Sequence, residues 1–76
     1  MSRFRYGGLL ASCVGEVSSA QIGTHTLRRE VSIVDGERYY RFTLNPGTSS
    51  EFGTFWGDNE SRLLRLVYRR AGVPFA

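Results

Sequence analysis

A chain of 76 residues with a formal net charge of +3, 41% hydrophobic content and one cysteine has room for a single domain around one modest core. Its apolar share is too high for a disordered chain, and no apolar run approaches the ~18–20 residues that span a bilayer. The lone Cys13 permits no internal disulfide, which points to a reducing, cytoplasmic setting.

Residues 1–23 carry the weakest pattern. Arg3, Phe4, Arg5 and Tyr6 alternate as in a half-buried strand. Leu9, Ala11, Cys13 and Val17 fit a period of two, while Leu10, Cys13, Val14 and Val17 fit a helical stripe equally well. Gly7, Gly8 and Gly15 favour a strand that bends or bulges. The apolar stretch from Gly7 to Ala11 is too short for a signal peptide and is broken by Ser12. Ser18 to Gly23 reads as a connection.

Thr24 to Leu44 reads as a β-hairpin turning at Asp35-Gly36, a pair suited to a type I′ turn because both positions need φ > 0. Counting outward pairs Ile33 with Arg38, Val31 with Tyr40, Arg29 with Phe42, and Leu27 with Leu44. One face then collects Leu27, Val31, Ile33, Tyr40, Phe42 and Leu44. The other receives Arg28, Glu30, Ser32, Tyr39, Arg41 and Thr43, with Glu30 opposite Arg41. A slip of one residue would scramble both sets, so turn chemistry and binary pattern support each other.

Asn45 to Ser50 is a dense turn cluster, and Glu51 to Trp56 reads as a third strand rich in aromatic and β-branched residues. Phe55 falls on the face opposite Phe52, Thr54 and Trp56. A helix follows, capped by Asp58, with Glu60 in its first turn. Leu63, Leu64, Val67, Tyr68 and Ala71 form its apolar arc, and Arg62, Arg65 and Arg69 lie opposite. Gly72 suits a left-handed cap, Val73 can fold back, and Pro74 stops continuation. The predicted fold is α+β: a single domain over residues 1–76, with an antiparallel sheet of three to four strands and the C-terminal helix packed on one face.

Little points to catalysis. Cys13 and His25 have no spacing that makes a nucleophile and base. One His and one Cys cannot fill a zinc site, and the acids lack calcium-loop spacing. Gly47, Gly53 and Gly57 do not make a phosphate loop. A carboxylate pair of the glycoside-hydrolase kind needs a pocket that so small a core seldom shapes. The expectation is a non-enzymatic chain without cofactor or metal.

Two surfaces stand out instead. The first is the sheet face with Arg28, Tyr39, Arg41 and Phe55; the second is the helix stripe Arg62, Arg65, Arg69. All ten basic residues are arginine, which makes planar, bidentate contacts to phosphate or carboxylate, although codon bias in a GC-rich genome gives the same composition. Arginine with aromatics serves nucleic-acid binding and protein hot spots alike. A solvated sheet face and the wet side of a helix are the plain alternatives for the two surfaces.

Strand, strand, strand, helix, with Gly53-Thr54-Phe55 ahead of the helix, resembles the β-β-β-α DNA-binding build of integrase arm-binding domains. That resemblance implies a sheet-face DNA contact; Glu30 and the Asn45–Ser50 loop depart from the pattern, and it assigns no residue. The chain's size and its lack of catalytic motifs are also similar to those of small phage or mobile-element inhibitors, including anti-CRISPR proteins. The leading expectation is a stand-alone binding protein that covers a surface on a larger protein or nucleoprotein complex, without membrane contact. A direct DNA- or RNA-binding module is the alternative, and a homodimer through an edge strand, Arg3–Tyr6 or Glu51–Trp56, is a third possibility.

Overall fold

The computed structural model describes residues 14–75. Strands β1 (Glu16–Ile22), β2 (His25–Val34), β3 (Glu37–Leu44) and β4 (Phe52–Gly53) form one antiparallel sheet in sequential order. Helix α1 (Glu60–Ala71) follows and packs on one face, as the α+β reading expects.

The hairpin of β2 and β3 has the predicted register, from Leu27 opposite Leu44 to Ile33 opposite Arg38. Asp35 and Gly36 hold φ of 52° and 80°, as a type I′ turn requires. Leu27, Phe42 and Leu44 close against Val67 of the helix and Ile22 of β1. Leu63, Leu64, Tyr68 and Ala71 pack around them, so the predicted apolar arc is the buried arc. Ile33 departs from expectation: it is 60% exposed, because it sits beside the turn and outside the cluster that the helix covers.

Three boundaries move. Ser18 to Ile22 belong to β1, paired with β2 from Glu16–Val31 to Ile22–His25. A two-residue turn, Gly23-Thr24, joins them, with φ of 61° at Gly23, as a type II′ turn wants at its first position. Small polar residues disguised this strand, since an edge strand needs no apolar alternation. The earlier candidates Arg3–Tyr6 and Leu9–Cys13 lie outside the described residues. The helix cap is Asn59 rather than Asp58: Asn59 Oδ1 accepts from the Arg62 N–H at 3.1 Å. At the other end Gly72 is left-handed, and the Gly72 and Val73 N–H groups donate to the Arg69 and Tyr68 carbonyls, closing the helix as a Schellman motif.

The third correction shapes the surface described next. Only Phe52 and Gly53 of the expected Glu51–Trp56 strand form a regular ladder with β3. Thr54 N–H still donates to the Phe42 carbonyl at 2.9 Å, but Tyr40 pairs with Gly57, exchanging bonds of 2.8 and 3.0 Å. Two residues, Phe55 and Trp56, therefore face one, Arg41. This is a β-bulge, which bends an edge and re-aims side chains.

Candidate partner-binding surface

The seven residues singled out from sequence separate into two groups. Arg28, Tyr39 and Arg41 do lie on the sheet face away from the core. That face is not an open platform: Tyr39 is only 4% exposed, and Glu30, Ser32 and Thr43 are buried with it. Tyr39 and Ser32 are both engaged in interactions. The Arg41 Nε–H donates to Glu30 Oε1 at 2.7 Å, and its guanidinium lies 5.2 Å from the Trp56 ring centroid. Arg28 is half-buried, and its Nε has no acceptor among the described residues. The expected Arg/Tyr contact face is thus corrected to a largely closed polar layer. Alternation predicts which side chains share a face; it does not predict that hydroxyl-bearing residues will be buried there, since such groups can satisfy their bonds inside.

Phe55, Arg62, Arg65 and Arg69 form the second group. The bulge holds Phe55 out at 90% exposure. Across from it on α1, Leu66 is 47% exposed. A groove of about 430 Å³ lies between them, lined also by Trp56, Arg62 and Leu63. A second groove of about 460 Å³ continues along the helix past Arg65 and Arg69 to Phe75, and Arg62 and Leu66 line both. Phe75 is held edge-on to Tyr68 at 5.2 Å, and the Arg65 guanidinium sits 5.6 Å from the Phe75 ring centroid. The surface is an apolar trough with an arginine rail.

Charge sharpens the division. Arg29 meets Glu60 at 3.0 Å and Glu16 at 3.6 Å, Arg38 meets Glu16 at 3.8 Å, and Arg41 meets Glu30. Tyr40 accepts from Arg38 at 3.2 Å, which raises the Arg38 pKa further and keeps it charged. Glu51 is turned to the Gly47 N–H. Among the described residues, no carboxylate lies within ion-pair distance of Arg62, Arg65, Arg69 or Arg70. Four arginines without a carboxylate partner among the described residues therefore share one helix. Asp58, itself engaged, adds a carboxylate at the loop end of the first groove.

Of the catalytic candidates, His25 is tied into the fold. Asn45 Oδ1 accepts from the Thr26 N–H at 3.1 Å, so its Nδ2 faces His25 Nδ1 at 2.9 Å and donates to it. Cys13 lies outside the described residues. Among those residues, no group of three or more His, Cys, Asp or Glu is placed to hold a metal, and no helix is long and apolar enough to cross a membrane.

Sequence reading missed Leu66, Trp56 and Phe75. Leu66 had a signal, an apolar residue inside the charged sector, four positions after Arg62 and three before Arg69. Trp56 had none, because its direction depends on the bulge. No protein-family model matches this chain, and neither a curated protein nor a solved structure matches it significantly.

Proposed function

We propose that this chain is a non-catalytic binding protein that covers an acidic-rimmed apolar recess on a larger protein. Phe55 would enter the recess, Leu66 would pack beside it, and Arg62, Arg65 and Arg69 would meet the acidic rim. The carrying observation is the near-complete exposure of Phe55, held out by a bulge beside helix arginines that no carboxylate of the described residues pairs. A large aromatic in water wastes apolar area unless a partner covers it, and aromatics with arginine dominate binding hot spots. Charge around such an anchor speeds and orients docking. In the cytoplasm, such a chain acts in the manner of small mobile-element inhibitors, by occupying a surface that its target needs.

The test is affinity capture from nuclease-treated host lysate with the wild-type chain and with Phe55→Ala, matched for thermal stability. A protein retained by the first and lost from the second is the expected result. Equal retention by both would remove Phe55 from the interface.

The helix arginines, which no carboxylate of the described residues pairs, also favour a second reading, in which they track a nucleic-acid backbone. Binding would then weaken steeply between ~50 and ~200 mM salt as counterions are released. Absence of any electrophoretic shift at the lower salt would end that reading. The sheet-face form of it is not retained, because Tyr39 is buried and Arg41 is paired.

A further inference from the structure

Among the described residues, the sheet's two edge strands, β1 and β4, differ in how they are guarded. β4 is two residues long and runs into the bulge, two devices that blunt an edge. β1 has seven residues, exposed from Glu16 through Gln21, in an unbroken ladder with no proline, lysine or arginine.

The ladder also says which groups β1 offers. The Asn45 N–H donates to the Thr26 carbonyl at 2.7 Å, so Thr26 and every second residue of β2 bond towards β3. The alternate residues Leu27, Arg29 and Val31 bond towards β1 through Ala20, Ser18 and Glu16. Val17, Ser19 and Gln21 must then direct their N–H and C=O groups away from the sheet.

We propose that β1 pairs antiparallel with β1 of a second copy, about a two-fold axis at Ser19, joining two four-stranded sheets into one. Outward residues have to face outward residues, and full overlap is reached when Ser19 opposes Ser19 and Val17 opposes Gln21. Each of these three residues then gives one N–H bond and receives one at its carbonyl. The strand is complementary to itself: Ser18 meets Ala20, and small side chains line the centre. Its sole charge, Glu16, meets Ile22 of the second copy and is already held by Arg29 and Arg38, so no like charges collide. A shallow groove of about 210 Å³, lined by Ser18, Ala20 and Leu64, leaves the helix side of β1 open to approach. A single strand pair falls below the ~1,200 Å² of a standard interface, so the dimer forms reversibly and with concentration.

Sedimentation equilibrium of the full chain, from low micromolar to submillimolar concentration, should show a monomer–dimer equilibrium. Ser19→Pro removes one outward N–H, and Ser19→Lys sets two charges face to face; each should weaken dimerisation about tenfold or more while thermal stability holds. Register is tested in a Cys13→Ser background: Ser19→Cys should cross-link to a covalent dimer under mild oxidation, roughly tenfold faster than Val17→Cys, which would face Gln21. Phe55→Ala should leave the dimer unchanged, which separates this proposal from the partner surface. A chain monomeric throughout, a dimer indifferent to Ser19→Lys, or Val17→Cys cross-linking as fast as Ser19→Cys would overturn it. So would pairing seen only with a foreign strand peptide.

Discussion

The arginines of the sheet and those of the helix are the same residue in opposite employment. Arg29, Arg38 and Arg41 are held by Glu16, Glu60 and Glu30, and two of them also lie over the Tyr40 ring. They neutralise acids and brace strands. Arg62, Arg65 and Arg69 have no such partners among the described residues and flank exposed apolar groups instead. Composition gives one number for all of them. Only placement tells a structural cation from one available for recognition.

That contrast can be broken by substitution, beginning with the largest effect. Arg41→Ala strands the nearly buried Glu30 carboxylate and removes the cation over Trp56. Discounted for the partial exposure of Arg41, the loss is about 2–4 kcal/mol of folding stability, read by urea unfolding. Phe55→Ala should cost about tenfold to a hundredfold in partner affinity, with the unfolding midpoint unmoved. Asn59→Ala removes the cap that fixes the first turn and the Arg62 backbone, and should cost about 1 kcal/mol on the same urea curve. Arg65→Ala should change stability by no more than about 0.5 kcal/mol. Its effect should appear in the association rate and its salt dependence, measured by surface plasmon resonance. If Arg65→Ala destabilised the fold as much as Arg41→Ala, the division of labour would be wrong.

The sequence carried the hairpin well because two independent signals agreed there: Asp35-Gly36 fixed the turn, and alternation fixed the faces. The helix was similarly clear, with an apolar arc, a glycine stop and a cap misplaced by one residue. β1 was hidden because Glu16–Gln21 is exposed along its length and so leaves no burial period to read. Tyr39 misled for the reverse reason, being a polar-tipped residue buried where alternation alone predicts solvent. Of the candidate site, the helix arginines were legible from their sector. The exposure of Phe55 was not, since it depends on one extra residue in the bulge that follows β4.

That position has an evolutionary corollary. Removing Phe55 from the gene would bring Trp56 directly opposite Arg41 and Gly57 opposite Tyr40 in a continuous ladder, so the shortened chain should fold at least as well as its parent. Apart from the blunting of the β4 edge, partner contact is what would keep such a codon in place. Natural variants lacking that single codon would mark lineages in which the contact has been abandoned.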